Sequence, residues 1–175
     1  TYNAAIGQGY VLATPLQMLN AHAAIANGGT LYRPQVVYQE VDIEGNVVRS
    51  FEPEVVQKID VDPEYIELVR RGMRGAVTNG TAYRLKLDEI EVAGKTGTAE
   101  YTELDENGNL IVDRYGHLPT HAWFTAFAPY DNPEIALIVF LHGGGEGSQT
   151  AVPVAEEILR AYFGIPAAGQ AGSAP

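Results

Sequence analysis

Val92-Ala93-Gly94-Lys95-Thr96-Gly97-Thr98-Ala99-Glu100 is the stretch on which the reading of this chain turns. It is expected to lie in a sheet that starts near Ile90 and runs through Lys95 to Tyr101. Lys95, Thr96 and Thr98 bring a cation and hydroxyl donors to one strand edge, the groups that a ligand ending in a free carboxylate needs. A cation about 4 Å from an anion, at an effective dielectric near 20, is worth about 4 kcal/mol before desolvation. Gly97 has no Cβ, so a ligand backbone can approach the strand there. The plainer reading is an edge strand with a surface lysine and a bulge glycine.

Upstream, Thr14-Pro15 with Gln17 is a capping-box start, and Leu16, Leu19, Ala23 and Ala26 recur at helical spacing until Asn27-Gly28-Gly29, so a helix is expected over about 14–27. From Leu31 to about Ile59 the residues become β-branched and alternating, with Glu44-Gly45-Asn46 as a turn, which predicts a small ribbon. Asp62-Pro63 opens a second helix whose stripe is Ile66, Val69, Met73 and Val77, ending at Asn79-Gly80. Downstream, the motif strand is expected to continue after a turn at Asp105–Asn109. Two further strands follow, His121–Ala128 and Glu134–His142, joined through Tyr130-Asp131-Asn132-Pro133. Thr150–Phe163 reads as a last helix with Val154, Ile158, Leu159 and Tyr162 inward. The order helix, ribbon, helix, three strands, helix predicts an α+β domain over 1–165, an antiparallel sheet covered by helices. Residues 166–175 are expected to form a disordered tail.

Composition narrows the function classes. The 175 residues are 46% hydrophobic and 19% charged, which is ordinary globular composition. A formal net charge of -11 argues against nucleic acid as a partner, because that binding rests on Lys and Arg displacing counterions. No run of about 18 apolar residues could span a bilayer, and the first twenty residues lack a signal-peptide pattern. There is no cysteine, hence no disulfide and no thiol chemistry. His117 and His121 are four apart, but Pro119 falls between them, Gly116 precedes them and no Glu follows His117, so no metal is expected. Gly143–Ser148 lacks the Gly-Lys-Ser/Thr ending of a phosphate loop, and Glu146 would repel phosphate; a strand-to-helix turn is expected. Gly7-Gln8-Gly9 is read as a turn into the first helix. Trp123, Phe124 and Phe127 are read as sheet packing, and Glu100, Glu103, Asp105 and Glu106 as a solvated turn.

Several strings, in order, resemble the C-terminal half of class B penicillin-binding protein transpeptidase domains. They are Ala5-Ile6-Gly7-Gln8-Gly9, Thr14-Pro15-Leu16-Gln17, Ala24–Gly29, Asn79-Gly80-Thr81-Ala82, Lys95-Thr96-Gly97-Thr98, His121-Ala122-Trp123-Phe124 and Ala128-Pro129. Within that class the His-Ala-Trp-Phe string is most similar to the penicillin-binding protein 2 type. The resemblance covers about residues 5–163 and implies the penicillin-binding protein/β-lactamase-like fold and a D-alanyl-D-alanine transpeptidase that acts through a serine acyl-enzyme, binds β-lactams and uses no cofactor. It implies that Lys95, Thr96, Gly97 and Thr98 form the substrate wall. It assigns Lys95 a part in proton transfer and the Thr98 N–H one half of an oxyanion hole, where losing a donor typically costs about a hundredfold in rate.

The family carries two earlier signatures, Ser-x-x-Lys and a Ser-x-Asn-type loop. Neither is here: the three serines, Ser50, Ser148 and Ser173, have no Lys three residues on and no Asn two residues on. The chain alone is therefore expected to be inactive. Its implied partners are the stem peptide of peptidoglycan, β-lactams, an upstream half of its own transpeptidase domain and the cell-elongation machinery. The implied location is the extracytoplasmic face of the bacterial membrane, with an N-terminal anchor outside this chain. The opening Thr1-Tyr2-Asn3, without Met, favours a truncated or processed product. Apolar surface bared by a missing half predicts dimerisation or poor solubility, checked by sedimentation. The competing readings are a D,D-carboxypeptidase, a β-lactamase-like sensor, and a non-catalytic module of the same fold that binds cell-wall peptide or a partner protein.

Overall fold

The computed structural model describes residues 2–167. A four-residue helix, α1 (Tyr2–Ala5), precedes α2 (Pro15–Ala26). The α2 start is the reciprocal cap that the sequence predicts: the Gln17 N–H donates to Thr14 Oγ1 at 3.2 Å and the Thr14 N–H to Gln17 Oε1 at 2.8 Å. Its packed face keeps Leu19, Ala23 and Ala26 of the predicted stripe, adds Ala24 and leaves Leu16 out. Ala24 and Ala26 are buried, Leu19 and Ala23 half-buried, and Leu16 is exposed, because the alanines let the helix end lie close to the sheet.

The segment expected to make one ribbon forms two. β1 (Thr30–Tyr32) pairs with β4 (Val55–Lys58), and β2 (Gln39–Val41) pairs with β3 (Val47–Ser50) around the predicted turn. Helix α3 (Pro63–Thr78) is capped by Asp62, whose Oδ1 accepts from the Glu64 N–H at 2.9 Å. Ile66, Met73 and Val77 are buried as expected, and Val69 is exposed.

β5 (Ala93–Glu100), β6 (Thr120–Ala128) and β7 (Ile135–Leu141) form one antiparallel sheet in that order. The strand expected after Asp105–Asn109 is absent: 101–119 is a loop with one isolated bridge, Leu104 to Leu110. Side chains of β6 alternate between two cores. Ala122, Phe124, Ala126 and Ala128 pack with Val152, Ala155 and Leu159 of α4 (Gly147–Phe163), while Phe127 packs on the other face with Ala26 of α2 and Met73 of α3. The sheet thus lies between α4 and the pair α2 and α3. Two arginines fasten α3 to the sheet. Arg70 donates to the Tyr130 carbonyl and lies over the Phe127 and Tyr130 rings, and Arg74 Nη1 donates to the Val92 carbonyl at 3.1 Å.

Helix α4 corrects the expectation most. It begins at Gly147 rather than Thr150 and buries Ala151, Val152, Ala155, Glu156, Leu159 and Arg160, leaving Val154, Ile158 and Tyr162 exposed. Small residues let the axis come close to the sheet, and that proximity selects the face. The tail expectation falls mostly outside the described residues; Pro166, within them, is held by Arg160 Nη1, which donates to its carbonyl at 2.9 Å. Ile6, Leu12 and Leu16 are exposed apolar side chains.

Three loops share one construction. In Asp42–Asn46, Asp105–Asn109 and Asp113–His117 the aspartate Oδ1 accepts from the N–H groups two and four residues on, and a glycine three residues on has φ of 87, 81 and 86°. At Asp42 and Asp105 the side-chain amides of Asn46 and Asn109 donate as well and count for most, and at Asp113 the His117 N–H does; these hydrogen bonds favour the ionised carboxylate and hold all three aspartates below the ordinary 3.8. Since the folded value lies below the unfolded one, the stabilisation is present above the unfolded pKa and is lost as pH falls through the folded pKa. NMR titration is expected to place the three midpoints below that of a free aspartate. Asn46→Ala, which removes the side-chain donor and largest cause at Asp42, is expected to raise the Asp42 midpoint alone.

Candidate active site

The motif residues sit on β5 in a register set by β6: Lys95 opposite Thr125, Thr96 opposite Phe124, Gly97 opposite Trp123 and Thr98 opposite Ala122. Since β5 pairs only with β6 among the described strands, its other edge is open. The Thr98 carbonyl accepts from Gln8 Nε2 at 3.2 Å, and the Thr96 carbonyl from Lys95 Nζ at 2.7 Å. Neither carbonyl is used in the ladder to β6. In an extended strand the N–H and C=O of one residue point to the same side, so the Thr98 N–H opens on the free edge as well.

Beside that edge lies a cleft of about 260 Å³ lined by Ile6, Met18, His22, Trp123 and the strand from Lys95 to Ala99. A wider groove of about 560 Å³ adjoins it between α2 and α3, walled by Ile25, Gly72, Met73 and Ala76. Lys95 lines both, and among the described residues no other Lys, Arg, Asp or Glu does. Lys95 is exposed, and as the cation on these linings it draws an anion towards the β5 edge. His22 Nδ1 donates to the Met18 carbonyl at 2.8 Å, which fixes that nitrogen as the protonated one.

The two threonines are engaged rather than free. Thr96 is buried, and its hydroxyl shares a 2.6 Å hydrogen bond with that of Thr81, from the Asn79–Ala82 string after α3. Thr98 Oγ1 donates to Glu146 Oε2 at 3.1 Å and accepts from the Gly147 N–H at 3.4 Å. A Cβ at Gly97 would come within 3.2 Å of Trp123 Cβ, so this glycine also accommodates its cross-strand neighbour.

At the far end of β6, His121 stacks on Tyr101 with centroids 3.9 Å apart and lies 4.7 Å from the His142 ring. The Gly143 N–H donates to His121 Nδ1 at 3.2 Å. Burial, with the charge of His142, holds the His121 pKa below its ordinary 6.5. His117 instead pairs with Asp113 in the loop, at 3.0 Å, so the two histidines serve different elements. Among the described residues no group of three His, Cys, Asp or Glu is placed to hold a metal ion.

The predicted site residues Lys95, Thr96, Gly97 and Thr98 are therefore together on one edge, and four residues that sequence reasoning did not place there join them. Gln8 and Thr81 lie inside strings already singled out, although the sequence pattern makes Gln8 part of a turn. His22 and Glu146 carry no local signal, because only the packing of α2 and α4 brings them to β5.

The profile of the penicillin-binding protein transpeptidase domain matches residues 1–160. The chain belongs to this family, and its helices and antiparallel sheet have the α+β transpeptidase fold. Among curated proteins, the peptidoglycan D,D-transpeptidase MrdA of Haemophilus influenzae is 37% identical over 169 residues, which are 93% of this chain and 26% of that protein. Penicillin-binding protein 2A of Bacillus subtilis is 39% identical, over 77% of this chain and 19% of its own. Among solved structures, Pseudomonas aeruginosa PBP2 in complex with WCK 5153 superposes with a TM-score of 0.69 at 32% identity, covering 90% of this chain and 32% of that one. The imipenem acyl-enzyme of Mycobacterium tuberculosis penicillin-binding protein A gives 0.75 at 27% identity, covering 92% and 33%. The chain thus spans about a quarter of the length of the curated relative MrdA.

Proposed function

We propose that the chain is the C-terminal part of a serine-type peptidoglycan D,D-transpeptidase of the penicillin-binding protein 2 type, carrying the substrate wall and not the nucleophile. The observation that carries this reading is the open edge of β5, where Gly97 and Thr98 line an apolar cleft beside the cation Lys95. A stem peptide ending in D-Ala-D-Ala adds its extended backbone to that edge, a mode in which main-chain hydrogen bonds give affinity. Lys95 and Thr98 take its carboxylate, and Thr96 is braced by Thr81 rather than binding directly. A serine from the upstream half attacks the penultimate carbonyl, the Thr98 N–H supports the oxyanion, and Lys95 helps carry the proton to the departing D-Ala amine. An amine of a neighbouring stem peptide then takes the acyl group, and the serine oxygen leaves and regains its proton. β-Lactams enter as mimics of the same peptide.

On this reading the intact protein stands on the extracytoplasmic side of the membrane, anchored through a segment upstream and working with the cell-elongation machinery. Among the described residues no helix is long and apolar enough to cross a membrane.

The test is covalent labelling with a fluorescent penicillin. The intact gene product is expected to label and the 175-residue chain is not, and Lys95→Ala in the intact protein is expected to cut the labelling rate at least about a hundredfold. A stable adduct on the isolated chain would overturn the absence of a nucleophile. An upstream reading frame without Ser-x-x-Lys would favour the non-catalytic module instead.

A further inference from the structure

We propose that Glu146, which does not line the cleft itself but holds the hydroxyl of Thr98, which does, is a residue that determines the specificity of the cleft. Its carboxylate occupies the Thr98 hydroxyl as an internal stand-in for a ligand carboxylate, so an anionic ligand must displace it and a neutral one need not. This rests on the function proposed above, because it concerns the same carboxylate subsite.

The geometry is direct. Thr98 Oγ1 has a single proton to donate, and that proton goes to Glu146 Oε2 at 3.1 Å, since the other close partner, the Gly147 N–H, is itself a donor. An incoming carboxylate needs the same proton. Glu146 is also the N-cap residue of α4, a position where a shorter side chain such as Asp would accept from the first-turn N–H groups. It makes no such side-chain bond. Its main-chain carbonyl accepts the first intrahelical bonds, from the Gln149 and Thr150 N–H groups at 3.0 and 3.1 Å, which leaves the side chain to Thr98.

The position of Glu146 is held by the fold. Gly145 donates to the Thr120 carbonyl at 3.0 Å, Thr150 Oγ1 donates to the Gly144 carbonyl at 2.9 Å, and Gly147 is buried against the carbonyls of Gly97 and Trp123. The turn that carries Glu146 is therefore braced on both sides of it. Electrostatics point the same way. Lys95 draws an anion into the cleft, and Glu146 places a like charge on the hydroxyl that the anion would use, which narrows the advantage of anionic over neutral ligands.

The test measures second-order acylation of the intact protein by benzylpenicillin and by its methyl ester, in wild type, Glu146→Gln and Glu146→Ala. Both variants are expected to gain about fivefold with benzylpenicillin, the size of removing one like charge about 4 Å away in water-exposed surroundings. With the methyl ester, which lacks the carboxylate, their rates are expected to stay within about twofold of wild type, so the selectivity ratio rises. Glu146→Asp, which withdraws the carboxylate by one methylene, is expected to fall between. Unchanged or slower benzylpenicillin acylation in both variants overturns the proposal, as does an equal gain with both ligands, which would report a wider cleft rather than competition for the hydroxyl. A wild-type protein that acylates with neither ligand overturns the function itself, and that outcome is distinct from an unaltered ratio in an active protein.

Discussion

Truncating Arg160 to alanine is expected to lower the unfolding free energy by about 3–5 kcal/mol, the cost of leaving one member of a buried ion pair without its partner. The Arg160 and Glu156 side chains are 10% and 11% exposed. Arg160 Nε donates to Glu156 Oε1 at 3.0 Å, and its two terminal nitrogens donate to the carbonyls of Lys86 and Pro166. The other Glu156 oxygen accepts from the Lys86 N–H at 2.9 Å. The pair therefore clamps the backbone at Lys86, five residues after the Thr81 that braces Thr96. Removing the guanidinium strands a carboxylate in the core and frees that segment. Arg160→Lys should recover only part of the loss, because an ammonium cannot span three acceptors as the planar fork does. Replacing both residues, as Glu156→Met with Arg160→Leu, should cost less than Arg160→Ala. Denaturant unfolding of the four proteins checks the series, and a loss below about 1 kcal/mol in Arg160→Ala would mean that water already reaches the pair.

Gly147→Ala is expected to disable the site while changing no group that touches a ligand. A Cβ there would lie 2.4 Å from the Gly97 oxygen and 2.4 Å from the Trp123 oxygen. Both are main-chain atoms on paired strands, so neither can swing aside as a side-chain end could. The first turn of α4 must lift or the motif strand must yield. Overpacking of this kind costs about 1–3 kcal/mol. The larger effect is on chemistry, because displacing Gly97 and Thr98 by about 1 Å costs on the order of a hundredfold in rate. Penicillin acylation of the intact variant, measured beside its melting temperature, checks this. Near-wild-type acylation would show that α4 can shift without moving β5.

The local decisions were legible in the sequence. Thr14-Pro15 with Gln17 and Asp62-Pro63 start helices where they should, because caps are made among residues two or three apart. The Glu44–Asn46 turn is of the same kind, since Asp42 bonds within its own five residues. Faces were harder to read. α4 has apolar residues on several sides, so periodicity did not choose among them, and Glu156 with Arg160 has the spacing of an ordinary exposed pair on a helix. The loop after Glu100 departs from the expected continuation of the sheet, because its Asp105–Asn109 turn forms but the residues flanking that turn find only one bridge.

What the sequence determined by itself is the motif strand, its flanking strings and hence the family, together with the missing serine signatures, because these are matters of residue identity and short spacing. What only the tertiary structure decided is how the motif is held. Thr96 meets Thr81 from 15 residues away, Glu146 reaches Thr98 from 48 and Gln8 from 90. Such contacts depend on how helices and loops close on the sheet. The identity of Glu146 or Gln8 does not reveal which hydroxyl or carbonyl will be beside it, since burial and shape across the whole core settle that choice.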